Sequence, residues 1–253
     1  MIAVAAQSVA VTQQLTGLGD GDLVLNGVNV GGADATTDTA SSVQDSNGAT
    51  IKSSVKEASG IAIAAAINDI ADETGVSAEV NETVLIGGTG ASFDDGTGGG
   101  AAYVAGDSGK VYINGVDLGA VSLIDDGTGA IDEGRTRQST IDLINAKAGQ
   151  TGVTAEDNGE SITLRAADGR NISVAIDNDE ANNVGRGETF GAQLGLNSAL
   201  DGIGEGDIGT TPGSNSTGDR GTMIEGNVYE TTYSTLTLTS AQEISIGGGS
   251  NGT

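Results

Sequence analysis

One unit is used twice in this chain. Gly21-Asp22-Leu23-Val24-Leu25-Asn26-Gly27-Val28-Asn29-Val30 and Gly109-Lys110-Val111-Tyr112-Ile113-Asn114-Gly115-Val116-Asp117-Leu118 each set Asn-Gly between two short aliphatic runs. That pattern is the strongest short-range mark of a two-residue type I′ hairpin, because both central residues need positive φ and Asn and Gly tolerate it best. A hairpin is therefore predicted at Asn26-Gly27 and another at Asn114-Gly115. Repetition constrains the rest, since each copy must bury the same faces in the same way.

A helical pattern follows each hairpin after a polar, Gly-rich stretch. Ile63, Ile67 and Ile70 recur at i, i+4 and i+7, with Ser59 as the expected N-cap and Gly75 as the stop. In the second copy Ile141, Ile144 and Ala148 recur at i, i+3 and i+7, with Ser139 as the expected cap. These stripes read as core-facing rather than as partner-binding faces. The helix exits match without a gap: Ile67-Asn68-Asp69-Ile70-Ala71-Asp72-Glu73-Thr74-Gly75-Val76-Ser77-Ala78-Glu79 against Ile144-Asn145-Ala146-Lys147-Ala148-Gly149-Gln150-Thr151-Gly152-Val153-Thr154-Ala155-Glu156.

Strands are expected beyond each exit. Ser161 to Leu164 alternates, Asp168-Gly169 turns the chain, and Ile172, Val174 and Ile176 alternate again. Val80 to Ile86 reads as the shorter equivalent in the first copy. A short helix is expected within Glu188 to Leu196, and a loop over Thr210 to Gly218. Ile2 to Val11 and Tyr233 to Ile246 are both rich in Thr, Ser, Val and Ile, and are predicted to lie side by side. The fold class is α+β: two tandem β-hairpin–helix–β-strand units with the N- and C-terminal strands paired. The divisions are a strand segment over 1–20, a first unit over 21–100, a second over 101–200, and a loop with returning strands over 201–253.

Composition excludes much chemistry. The 253 residues contain no His and no Cys, so neither a Ser-His-Asp nor a Cys-His nucleophile system can form. Zinc and softer metals lose their preferred ligands, which leaves oxygen-ligand cations such as calcium. A formal net charge of −25 opposes nucleic acid and acidic membrane surfaces. The longest apolar run, Ile61 to Ile67, is too short to span a bilayer, and Met1 is followed by no signal-peptide pattern. Aromatics are only 2%, so any core is built from small aliphatic side chains.

Asp94-Asp95-Gly96-Thr97-Gly98 and Asp125-Asp126-Gly127-Thr128-Gly129 are identical, and Asp177-Asn178-Asp179-Glu180 is a third acidic cluster. None fits the EF-hand or the calcium-binding nonapeptide repeat, and Asp with Gly most often simply makes turns. No metal ligand or cofactor site is assigned, and a calcium-stabilised adhesin module stays as an alternative. Paired carboxylates could serve a glycosidase. The chain has no Trp, 4 Tyr and 2 Phe to build a sugar platform, so no catalytic residue is assigned and the chain is read as no enzyme. Gly87-Gly88-Thr89-Gly90 is followed by no Lys-Ser or Lys-Thr and is not a phosphate loop.

The motif residues are Asn26, Gly27, Asn114, Gly115, Ile67, Asn68, Ile144, Asn145, Thr74, Gly75, Thr151 and Gly152. Asn-Gly-Val, a helix bearing Ile-Asn-Ala, then Thr-Gly-Val-x-Ala resembles the "IN" motif of bacterial flagellins. The second copy carries it in Ile113-Asn114-Gly115-Val116, Leu143-Ile144-Asn145-Ala146 and Thr151-Gly152-Val153-Thr154-Ala155. The first copy has Leu25 before Asn26-Gly27 and Asp69 after Ile67-Asn68. Tyr233 to Ala241 is similar to the flagellin segment that leads back toward the inner domains. The resemblance implies an extracellular structural role, as the outer domains of a filament subunit serving motility and adhesion. It also implies O-glycosylation, and partner subunits engaged through inner helical domains outside this chain. On that reading the chain is an excised, monomeric outer region with Met1 added for expression. A filament-cap protein is the alternative within the same organelle.

Overall fold

The computed structural model describes residues 2–4, 17–42, 54–87, 104–177, 190–196 and 230–248. After β1 (Ile2–Val4), the strands β2 (Leu23–Leu25) and β3 (Val28–Asn29) form the first hairpin. Asn26 and Gly27 sit at φ +51° and +86° at its tip, and Asn114 and Gly115 repeat this at +51° and +78°. The asparagines are the only described non-glycine residues with positive φ, as type I′ turns require.

Helix α1 (Gly60–Asp69) is capped by Ser59, whose Oγ accepts from the Ala62 N–H at 3.1 Å. It continues through α2 (Ala71–Thr74) to Gly75 at φ +67°, a left-handed stop. Beyond it run β4 (Val76–Val80) and β5 (Thr83–Ile86). The second copy supplies β6 (Ser108–Ile113), β7 (Val116–Ser122), α3 (Glu133–Ala146) and α4 (Ala148–Thr151), ending at Gly152 with φ +72°. Its cap is not Ser139, which lies inside α3. Asp132 Oδ1 accepts from the Arg135 N–H at 2.9 Å, and Thr136 Oγ1 accepts from the Ile124 N–H at 3.0 Å. This tethered first turn is polar, so the apolar stripe begins only after it.

The closing strands are β8 (Thr154–Asp157), β9 (Ile162–Ala166), β10 (Ile172–Asp177), β11 (Glu230–Thr232), β12 (Leu236–Ser240) and β13 (Ile246–Gly248), with a short α5 (Phe190–Gln193) between β10 and β11. In the second unit β9 lies between β8 and β5, while β10 pairs with β6. In the first unit β12 lies between β4 and β1, while β13 pairs with β2. The two sheets share a register. Leu164 faces Ala155 and Leu85, and Leu238 faces Ala78 and Ile2.

This corrects the expected tandem arrangement. Val80 to Ile86 does not close the first unit, because β5 leaves only Asn81-Glu82 after β4 and pairs instead with β9 of the second. The strands that close the first unit arrive from the far end of the chain. The second unit, with its leading strand β5, is thus nested between β4 and β12 of the first. The expected pairing of terminal segments is present as β1 on β12; the rest of Ile2 to Val11 lies outside the described residues, as do Asp94 to Gly98 and Thr210 to Gly218.

Each unit has its own aliphatic core. Leu25, Val30, Ala66, Ile67, Val76 and Leu238 form the first, with Ile63 and Ile70 against it. Ile113, Ile141, Ile144, Ile162, Leu164 and Ile172 anchor the second, and α5 adds Phe190 and its flank Leu194 and Leu196. A polar joint ties the units together. Buried Asp38, from the loop after β3, accepts the Ala40 and Ser41 N–H groups at 3.0 and 2.8 Å. Ser41 Oγ then accepts the Asn171 N–H at 2.9 Å, and Asn171 Nδ2 donates to Ser54 Oγ at 3.3 Å.

Burial pushes the Asp38 carboxyl up, but the Ser41 amide and the Ser59 and Ser41 hydroxyls outweigh it and hold it below its ordinary value of 3.8. A carboxyl depressed in the fold adds stability above its unfolded pKa, and that stability is lost as pH falls through the folded value. The unfolding free energy should therefore fall more steeply with acidification below about pH 4 in the wild type than in Asp38→Asn, measured by urea titration at stepped pH. Nesting makes a second prediction. Leu238→Ala should cost about 2–5 kcal/mol and strip hydrogen-exchange protection from α1 while leaving α3 protected.

Candidate functional site

The motif residues converge on one place in each unit, where the hairpin tip meets the end of the helix. Asn26 Nδ2 donates to the Thr74 carbonyl at 2.8 Å, and Asn26 Oδ1 accepts the Ser245 N–H at 2.8 Å. Asn114 does the same, donating to the Thr151 carbonyl at 2.9 Å and accepting the Ser173 N–H at 2.9 Å. The asparagine backbone N–H groups donate to the same serines, to Ser245 O at 2.9 Å and Ser173 O at 2.8 Å. One amide side chain thus joins three segments: the hairpin turn, the helix C-terminus, and either strand β10 or the residue that leads into β13.

The second asparagine of each copy makes a similar link six residues before the threonine. Asn68 exchanges two bonds with Ala78 of β4, donating to its carbonyl at 2.9 Å and accepting its N–H at 2.8 Å. Asn145 does so with Ala155 of β8 at the same two distances. The threonine before each glycine stop completes the pattern. Thr74 Oγ1 donates to Ile70 O at 3.0 Å and accepts the Val76 N–H at 3.1 Å. Thr151 Oγ1 donates to Lys147 O at 3.3 Å and accepts the Val153 N–H at 3.1 Å. Ile67 and Ile144, next to these asparagines, are buried at 1% and 0% exposure and root the helix in its core.

The role of these side chains is constructional. The last carbonyls of a helix have no partner within the helix, and a carbonyl left bare inside a fold costs free energy. Here Asn26 and Asn114 satisfy the Thr74 and Thr151 carbonyls, and the threonine hydroxyls hold the first N–H of each exit strand. The structure brings all twelve motif residues to these two helix ends. It adds two residues that the sequence reading did not single out, Ser173 and Ser245. Their signal is the match of Ile172-Ser173-Val174 to Ile244-Ser245-Ile246, together with Ile162-Thr163-Leu164 to Leu236-Thr237-Leu238.

The acidic run Asp125 to Gly129 spends its carboxylates on its own loop. Asp125 Oδ1 accepts the Gly127 and Gly129 N–H groups, and Asp126 Oδ1 accepts both the N–H and the hydroxyl of Thr128. Hydrogen bonds from Thr128 hold the Asp126 carboxyl below its usual range. Among the described residues no three acidic side chains gather in a group able to hold a metal ion, and no described helix is long and apolar enough to cross a membrane. No model of a known protein family matches the chain, and no curated protein matches it.

Asn114 is 2% exposed whereas Asn26 is exposed, so water can replace the amide of the first copy but not that of the second. Glycine keeps the turn geometry and removes only the side chain. Asn114→Gly should cost about 1–3 kcal/mol of stability, and Asn26→Gly clearly less, measured by urea denaturation. A neutral Asn114→Gly would show that the amide does not hold the unit together.

Proposed function

We propose that this chain is the outward-facing region of a bacterial flagellar filament subunit, a structural protein of motility exposed to the surrounding medium. The observation that carries the reading is the asparagine link itself. The residues that resemble the flagellin motif are those that tie turn, helix end and strand together, and they do so atom for atom in both copies. The motif positions thus have a definite structural task in this fold rather than lying scattered on its surface.

Two physical features support a filament surface. A formal charge of −25 in every copy of a repeated domain opposes lateral aggregation of the filaments that carry it. Strand β1 lies against β12, so an early and a late strand run side by side, a geometry suited to a region that projects from a larger body. The motif side chains are committed to one another, which fits construction rather than turnover. On this reading the partners are other subunits of the filament, and adhesion is a secondary role of the exposed surface.

Immunogold labelling of source-cell filaments, with antibodies raised against this chain, tests the proposal. Gold along the whole filament is the expected result. Gold confined to the distal tip would transfer the assignment to a filament cap. Label on the cell body with bare filaments would overturn the flagellar reading in favour of a surface adhesin.

A further inference from the structure

The two hairpin tips carry the same tripeptide, Asn26-Gly27-Val28 and Asn114-Gly115-Val116, and none of the chain's other Asn-Gly pairs is followed by valine. Asn-Gly is the dipeptide most open to spontaneous deamidation, because glycine has no Cβ to shield its backbone nitrogen. That nitrogen attacks the asparagine Cγ and gives up its proton. An N–Cγ bond forms, the Cγ–Nδ2 bond breaks, and ammonia leaves. Water then opens the resulting succinimide ring to aspartate or to isoaspartate. Water is the only co-reactant, so the two tripeptides convert at matching rates in an unfolded chain. Any difference between them in the folded protein is the work of the fold.

The turn itself is the first guard. A type I′ turn sets ψ of its leading central residue at about +30°. That value turns the glycine nitrogen away from Cβ about the Cα–C bond, whereas ring closure needs the two on the same side. Asn26 and Asn114, both at φ +51°, are held in that turn. Each amide is also clamped between a helix carbonyl and a serine N–H. Attack must therefore wait until the tip opens, and its rate follows the population of the open form.

Opening is harder in the second unit. Its hairpin runs on strands of six and seven residues, against three and two in the first. Asn114 is buried, and so is its partner Ser173 on β10, whose outer edge is paired with β11. Asn26, Gly27 and Ser245 are exposed, and β13 is exposed along its length and pairs only with β2 among the described residues.

We propose that Asn26 is a site of spontaneous modification, where deamidation releases the lock of the first unit while Asn114 stays intact and the second unit stays closed. Either product lacks the Nδ2 donor that holds the Thr74 carbonyl. Aspartate sets a carboxylate against that carbonyl, at the negative end of the helix dipole. Isoaspartate routes the backbone through Cβ and lengthens the turn. This inference is independent of the filament reading, since it rests on the comparison of the two tips alone.

The test is site-resolved peptide mapping of the full chain during incubation in mildly alkaline buffer below its melting temperature, with a parallel sample in concentrated urea. In urea the two asparagines should convert at nearly equal rates. In the folded chain Asn26 should convert at least about tenfold faster than Asn114. Leu238→Ala, which weakens the first core, should speed conversion of Asn26 several-fold and leave Asn114 unchanged. Asn26→Asp, the aspartate product made directly, should lower the Tm and speed amide exchange at Ser245 but not at Ser173. Equal rates at the two asparagines in the folded chain overturn the proposal, as does an Asn26 that stays intact there while the urea sample converts. An Asn26 rate unmoved by Leu238→Ala shows that opening does not govern the reaction, and an Asn26→Asp chain with unchanged Tm and exchange shows that no lock is released. Either result overturns it.

Discussion

Everything in this fold hangs on an asparagine side chain at a hairpin tip. An amide carries a donor and an acceptor on opposite edges, so one residue can reach a helix carbonyl on one side and a strand N–H on the other. Asn26 and Asn114 use both edges in that way, and their positive φ aims the side chain back across the turn. A serine or threonine hydroxyl could not span both partners, and an aspartate would set a carboxylate against the helix carbonyl. The residue is therefore chosen twice over, for its backbone and for its amide.

The need for such a link follows from the material available. Strands here are as short as two or three residues, and isolated strand pairs of that length do not hold in water. The cores are aliphatic, with Phe190 alone among the largest fully buried side chains in bringing an aromatic ring. Side-chain bonds between elements make up for limited apolar area by removing unsatisfied carbonyls and fixing the strand exits. Exposed ion pairs such as Arg165 with Glu82 and Glu156 add little.

Nesting gives the two units different physics. The second closes on its own neighbourhood, with β8, β9 and β10 following its helix directly. The first waits for β12 and β13 from the end of the chain, so its core carries a larger loop-closure cost and forms through contacts distant in sequence. The Asp38–Ser41–Asn171 joint then couples the two across a buried, hydrogen-bonded seam. The seam is only partly paired, since Asp38 Oδ2 and Asn171 Oδ1 are buried without a hydrogen-bond partner among the described residues.

Local chemistry was legible in the amino-acid sequence alone. Asn-Gly announced both turns, Ser59 and Gly75 bounded the first helix, and Thr-Gly-Val marked both exits, because each depends on φ preference or capping within a few residues. The start of α3 was hidden, since Asp132 and a polar first turn carry no apolar period. The strand exchange was hidden as well. Val80 to Ile86 has a good strand pattern, but a pattern says which face is apolar and not which edge is free. Only in three dimensions do Leu236-Thr237-Leu238 and Ile244-Ser245-Ile246 prove to be the first unit's own closing strands. The linear sequence thus determined the two building blocks and the asparagines that lock them; the tertiary structure decided which strands close which block, because edge pairing is settled by the long-range competition of faces and hydrogen bonds rather than by local conformational preference.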